Sequence, residues 1–247
     1  MPVSTQPYPT SLIFSTHRYS RVPGGAPALC PNGAELMRQL HSVARQDGDS
    51  IFREKGAIMI SYGAINLWKL EQADLGEHYR WANNDNLRRL MGGPANPRSY
   101  PDVEVWYRAL LSDQTREMYS VKTSAARLVG WIHLYSVDTI AGSAEVALLI
   151  DEEEWGKGYG HDALTAMARY AFEDLRLHRL GAEILAINLP SINLFQRVGF
   201  QKEGLKRESY YTRGRFLDTE CYGLLSTEFK AAAARSGSTG EQSEDLK

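Results

Sequence analysis

The 247-residue chain is 43% hydrophobic and 23% charged, an ordinary composition for a globular protein with a buried core. A net charge of −2 supplies no global basic field, so neither nucleic acid nor a membrane is expected as a partner. Two distant cysteines, Cys30 and Cys221, exclude a disulfide framework, and six histidines without HxH or HExxH spacing give no support to a metal.

The first segment, residues 1–58, reads as a largely irregular extension. Pro2, Pro7, Pro9, Pro23, Pro27 and Pro31, with Gly24-Gly25, interrupt regular structure. Within it, Leu36, Met37, Leu40, Val43 and Ala44 recur at helical spacing and predict one helix. Met59, just before Ile60-Ser61-Tyr62-Gly63, reads as an alternative start. Met1–Ser20 lacks the basic start and apolar run of a signal peptide. No apolar run approaches the roughly 18 residues of a membrane span, so a cytoplasmic location is expected.

A domain over residues 59–230 follows. Alternation predicts a strand over Ile65–Leu70, then helical spacing covers Asp74–Asn83 and Val103–Leu111. Strands are predicted over Met118–Val121, Leu128–Tyr135 and Ser143–Ile150. Leu164, Met167, Ala168, Ala171 and Leu175 form the apolar stripe of a helix over Tyr159–Leu175. A strand over Ala182–Ile187 and a helix over Ser191–Val198, stopped by Gly199, come next. Phe200–Glu208 and Phe216–Leu225 complete the strands, and residues 231–247 read as a frayed helix end followed by disorder. The order predicts an α+β fold around a mixed sheet.

The run from the strand ending at Ile150, through Trp155-Gly156-Lys157-Gly158-Tyr159-Gly160, into a helix is a potential anion site. Glycines let the backbone turn and present N–H groups, and the helix dipole adds about half a positive charge. Lys157 offers a further point charge. A plain tight turn is the alternative. The spacing is neither the GxGxxG dinucleotide fingerprint nor a P-loop.

The segment Trp155–Gly160 resembles the acetyl-CoA loop of the GNAT acetyltransferases, R/Q-x-x-G-x-G/A. Asn188-Leu189-Pro190-Ser191-Ile192-Asn193-Leu194-Phe195-Gln196-Arg197-Val198-Gly199-Phe200 resembles their N-x-x-[SA]-x-x-[LV]-[YF]-x-x-x-G-F segment. Gln201-Lys202-Glu203-Gly204, Gly214-Arg215-Phe216-Leu217-Asp218 and Trp81-Ala82-Asn83-Asn84-Asp85 are similar to the RimJ/RimL-type branch. The resemblance implies a mixed, mostly antiparallel sheet of six to seven strands flanked by helices. It also implies acetyl-CoA as co-substrate, no metal, and acetyl transfer to a primary amine by direct attack. Residues Trp155, Gly156, Lys157, Gly158, Tyr159 and Gly160 then bind pyrophosphate, and Leu148, Leu149 and Ile150 pair with the pantetheine arm. Asn188 bonds that arm or simply caps its helix, and Phe195 also lies at the cofactor.

Glu145, on the strand before the loop, matches the acidic residue that serves as base; a solvated carboxylate is the alternative, and His133 stands in reserve. A backbone N–H near Leu149 is expected to meet the oxyanion. Phe195 occupies the place of a proton-donating tyrosine, so Ser191 one turn earlier becomes the candidate acid, with helix capping as its other role. Trp81, Asn83, Asn84, Asp85 and Tyr210 or Tyr211 are expected to line the acceptor pocket. The acceptor is a small-molecule amine (amino sugar, polyamine or antibiotic) or a protein N-terminus, and the protein a monomer or homodimer. A catalytically silent acyl-CoA-binding module is the rival reading, favoured by Phe195.

Overall fold

Seven strands follow the apolar alternation, and a hairpin precedes them. The computed structural model describes residues 51–54, 57–92 and 96–237. Its strands are β1 (Ile51–Glu54), β2 (Ala57–Tyr62), β3 (Ile65–Lys69), β4 (Glu117–Thr123), β5 (Leu128–Asp138), β6 (Ser143–Ile150), β7 (Arg179–Leu185), β8 (Gln201–Thr212) and β9 (Arg215–Leu225). They form one nine-stranded sheet in the order β1-β2-β3-β4-β5-β6-β7-β9-β8, and only the β6–β7 pairing is parallel. The α+β class is as expected. The sheet is wider than six to seven strands because β1 and β2 form a hairpin that straddles the end of the segment read as an extension. A four-residue strand carries too little alternation to be seen in sequence. The boundary expected between residues 58 and 59 therefore cuts β2. The helix expected over Leu36–Ala44 and the tail beyond residue 237 lie outside the described residues.

Capping residues set the helix ends. Helices α1 (Leu75–Asn83) and α2 (Asp85–Met91) part at Asn84, whose side-chain oxygen accepts the N–H groups of Asn86 and Leu87 at 2.9 and 3.1 Å. Helix α2 ends at Gly92, in the left-handed region at φ +72°. Helix α3 (Tyr100–Ser112) starts with reciprocal bonds between Ser99 and Asp102. Helix α4 (Tyr159–Arg169) continues as a π turn over Tyr170–Asp174, so the expected long helix changes its hydrogen-bond period near its end. Helix α5 (Leu189–Val198) stops at Gly199 as expected, and α6 (Ser226–Gly237) follows β9.

Period-two alternation divides the sheet's side chains between two cores. Val146 and Ile150 of β6 join Ile132, Leu134, Leu164 and Met167 on the α4 side. Leu149 turns the other way, to Trp131, Met118, Trp81 and Leu87. Leu164 is fully buried, so Leu164→Ala costs about 2–5 kcal/mol. Among the described residues no helix is long and apolar enough to cross a membrane.

Two histidines make this packing acid-sensitive. His78 lies between Trp81 and Trp106, with ring centroids 5.4 Å away in each case, and its Nε2 is buried without a hydrogen-bond partner. Burial lowers its pKa to about 4 against the opposing pull of Asp74. Burial, helped by Arg116, lowers His133 to about 4 as well. Unfolded histidine titrates near 6.5, so the stability held by these neutral rings is complete above that pH and is lost as pH falls toward 4. Each accounts for about 3 kcal/mol at the bottom of that window. Urea midpoints measured from pH 7 to pH 4.5 should fall steeply, and His78→Gln should remove about one proton from the uptake on unfolding.

Candidate functional site

The parallel pairing of β6 with β7 covers only Ser143–Glu145 against Arg179–Gly181. Beyond it, β6 stays on β5 as far as Ile150 and β7 stays on β9, so a cleft opens between the two strands. A cavity of about 350 Å³ occupies it. Val146 and Leu148 line it from β6, Ile184 and Leu185 from β7, and Asn188, Ser191 and Phe195 from the α5 segment. Leu90, Met91 and Gly92 at the end of α2 line it as well.

Strand alternation settles which backbone groups face this cleft. Asp151 N–H donates to Val129 O across β5 at 2.9 Å, so Leu149, two residues earlier, also points its backbone at β5. Leu148 and Ile150 point theirs toward the cleft. This corrects the expectation for Leu149: its side chain is in the second core and its N–H is spent on the sheet. Ile150 O already accepts the Trp155 indole N–H at 2.8 Å.

The glycine loop joins this edge to α4. Gly156 and Gly158 have φ of +79° and +86°, and nothing lies within 4 Å of where a Cβ would stand on either. Gly160 serves a different purpose: a Cβ there would sit 3.1 Å from Leu194 Cδ2, so its smallness lets α4 approach α5. Tyr159 opens α4 half-buried. Lys157 is drawn back onto Glu154 at 2.9 Å, and Arg127 reaches the same carboxylate at 2.6 Å. Asp151 pairs with Arg80, while Glu152 accepts Asn84 and Asn86 at 2.9 and 3.0 Å. Three of the four acidic residues before the loop are thus braced.

Glu145 sits at the mouth of the cleft, half-buried, with its carboxylate where a Gly181 side chain would be. Burial raises its pKa, and the charge of Glu183 adds to the rise. Glu183 lines the same cavity and is paired with Lys206. Tyr135, directly opposite Glu145 on β5, lines it too, and burial raises its phenol well above the usual range. His133 does not line the cavity; it is stacked on Tyr135 at 5.3 Å.

Asn188 caps α5 by accepting Ser191 N–H at 3.2 Å and donates its amide to Leu90 O at 3.1 Å. Ser191 and the buried Phe195 both line the cavity, and Phe195 packs edge-on against Phe200 at 4.9 Å.

The acceptor set separates sharply. Tyr210 lines the cavity, but Trp81, Asn83, Asn84 and Asp85 do not. Trp81 is 1% exposed in the second core. Asn83 exchanges bonds with the backbone of Arg98, Asn84 caps α2, and Asp85 is exposed and paired with Arg213. Polar side chains on a helix-entry segment are consumed by the backbone groups that helix ends leave open. Tyr211 is 61% exposed and stacks on Phe216 at 5.0 Å. Tyr135, Glu183, Lys206, Ser209 and Thr219 line the cavity without having been foreseen. A carboxylate alternating with apolar residues in the β7 run was the one legible signal, for Glu183.

The acetyltransferase (GNAT) domain profile matches residues 65–201. The chain is similar to the putative ribosomal N-acetyltransferase YdaF of Bacillus subtilis, 34% identical over 154 residues that cover 60% of this chain and 82% of that one. It is similar to the spermidine N(1)-acetyltransferase of Vibrio cholerae, 25% identical over 165 residues, covering 67% and 95%. The crystal structure of spermidine N-acetyltransferase from Vibrio cholerae in complex with CoA and spermine shares the fold, with a TM-score of 0.64 at 24% identity over 68% of this chain and 98% of that chain.

Asn188→Ala should lower stability by about 1–2 kcal/mol through loss of the α5 cap. Asn188→Ser should restore the cap while being too short for Leu90 O, so thermal melts of the two variants separate the two bonds.

Proposed function

The chain belongs to the GNAT acetyltransferase family, and we propose that it moves the acetyl group of acetyl-CoA onto a primary amine by direct attack in the β6–β7 cleft. The observation that carries this reading is the adjacency of three features: the parted strands, the cleft-facing backbone of Leu148 and Ile150, and the open glycine turn at the start of α4. The cradle suits the cofactor, because a pyrophosphate needs close approach to backbone N–H groups and Gly156 and Gly158 leave that space empty. Residues 155–160 would hold the pyrophosphate, and Leu148, Ile150 and Asn188 the pantetheine arm. Acetyl-CoA supplies an activated thioester.

Glu145 takes the proton that the acceptor ammonium must lose, through contact or a bridging water. Its burial suits that work, since a raised carboxylate is a stronger base. The cleft-facing N–H of Leu148 or Ile150 meets the charge that develops on the acetyl oxygen. Phe195 has no proton to give, and Ser191 on the same wall is the nearest hydroxyl of the motif. A thiol titrates near 8.5, so the departing thiolate needs little help at neutral pH.

The cavity carries Glu145 and Glu183 against Lys206, and the hydroxyls of Tyr135, Tyr210, Ser209 and Thr219. That lining fits a singly charged, hydroxyl-bearing amine such as an amino sugar better than a polyamine, which carries several positive charges. A protein N-terminus is the other acceptor class; likeness to a putative ribosomal N-acetyltransferase supports it, along with the RimJ/RimL-type branch. The paucity of cysteine supports a cytoplasmic enzyme; the proposed reaction calls on no metal, and the enzyme is taken to act as monomer or homodimer. The rival, a silent acyl-CoA-binding module, rests on Phe195.

Acetyl-CoA turnover, read as free thiol, should rise with at least one of glucosamine, spermidine and a peptide with a free N-terminus. Tight acetyl-CoA binding without turnover of any of them would favour the rival. Gly158→Val should abolish binding in calorimetry while the fold persists, because φ of +86° strains a branched residue. Glu145→Gln should lower kcat/KM on the order of 10²-fold, and Ser191→Ala about tenfold. Because the Glu145 pKa is raised and the base must be ionised, activity should fall as pH drops through a value above the usual carboxylate range. Glu145→Gln should erase that limb; its persistence would move the base elsewhere.

A further inference from the structure

We propose that Tyr210 is a latch: a bulge in β8, pinned by Asp218, aims its ring at the end of α2, holds that end over the cavity, and so selects which amines enter. The inference rests on the acetyl-transfer reading for the word amine, but the latch itself is a matter of geometry.

The bulge comes from an unequal register. Four steps along β8, from Lys206 to Tyr210, are matched by two along β9, from Thr219 to Leu217. Extra residues in one strand bend it and redirect its side chains. At the centre, Glu208 adopts φ +49°, a left-handed conformation that is unfavourable for a non-glycine residue. Something must hold it there. Glu208 N–H donates to Asp218 Oδ1 at 2.7 Å, and Ser209 Oγ donates to Thr219 Oγ1 at 2.8 Å across the same gap.

The redirected residue is Tyr210, which lines the cavity and donates its hydroxyl to Gly92 O. Gly92 closes α2 in the left-handed region, and a Cβ there would lie 3.3 Å from the Tyr210 ring, so the ring lies against bare backbone. Carbonyls in the last turn of a helix lack partners within it. Here Tyr210 takes Gly92 O from β8, and Asn188 takes Leu90 O from the α5 segment. Leu90, Met91 and Gly92 line the cavity, so the position of this part of its lining is set by these two outside holds rather than by α2 alone. On the acetyl-transfer reading Asn188 belongs to the cofactor side of the cleft, which leaves Tyr210 as the hold on the acceptor side.

The test uses the full chain and hydrogen–deuterium exchange across residues 85–92, beside acetyl-CoA calorimetry and turnover of glucosamine and spermidine. Tyr210→Phe should speed exchange in the last turn of α2 at least tenfold and leave acetyl-CoA affinity within twofold. It should also change the ratio of kcat/KM for the two amines at least fivefold. Asp218→Ala should reproduce all three results, and Asp218→Asn, which keeps an acceptor oxygen for Glu208 N–H, should return them toward the unaltered protein. Unchanged exchange in Tyr210→Phe overturns the latch. Faster exchange with an unchanged amine ratio reduces the contact to a structural brace and overturns the selective role. Failure of the unaltered protein to acetylate either amine overturns the selective role as stated; failure to bind acetyl-CoA, or to acetylate the peptide as well, counts against the acetyl-transfer reading, while the exchange result still decides the latch.

Discussion

The parallel contact between β6 and β7 spans three residue pairs and ends where the Glu145 carboxylate stands over Gly181. Any side chain at residue 181 would contend with that carboxylate for the same space. Glycine lets the two strands touch at their origin while a charged group remains at the fork. Past the fork each strand keeps its other partner, β5 or β9, so parting costs no ladder on the outer sides. The cleft follows from this geometry, and with it the wall to which every proposed role is assigned.

Charge pairing keeps the fork from relaxing. The four acidic residues Asp151–Glu154 would repel one another if left in solution, yet three are matched to specific donors. Asp151 meets Arg80, Glu152 meets two asparagine amides of α2 and its cap, and Glu154 meets Arg127 and Lys157. Arg80, the two asparagines and Arg127 come from three different elements, so the turn that delivers the glycine loop is fixed to α1, α2 and the β4–β5 turn at once. Asp151 and Glu154 are buried while their basic partners stay half-exposed, so solvent still screens each pair. Their value here lies in geometry, since they define where α4 begins.

What was legible in sequence follows the range of the interactions involved. The strand–glycine loop–helix run and the Asn188–Phe200 segment are local motifs, so the resemblance they carry could be read residue by residue, and Asn188, Ser191 and Phe195 do line one cavity. Glu145 was legible for the same reason, lying one strand before the loop. Tyr135, Glu183 and Lys206 reach the cavity only through register between strands distant in sequence, and no local pattern encodes register. The segment Trp81–Asp85 shows the reverse error. Its residues stand out in the pattern, but they build the entry to α2 rather than the pocket, because helix ends have prior claim on amide side chains. The hairpin β1–β2 escaped notice because its strands are short and its neighbours rich in proline and glycine.

The irregular register of β8 has a bearing on solubility as well. This strand forms one border of the sheet, twelve residues long and exposed along most of its length. A flat, regular border of that size is a template onto which a foreign strand adds by hydrogen bonding, the first step toward aggregation. Two interruptions, at Lys202/Gly204 and Lys206/Tyr210, break the row of evenly spaced backbone groups, and Lys202, Glu203, Lys206, Arg207 and Glu208 crowd it with charge. The distortion that turns a tyrosine inward therefore also makes the outer margin of the sheet a poor seed for intermolecular β-structure, and straightening it would expose the protein to misassembly.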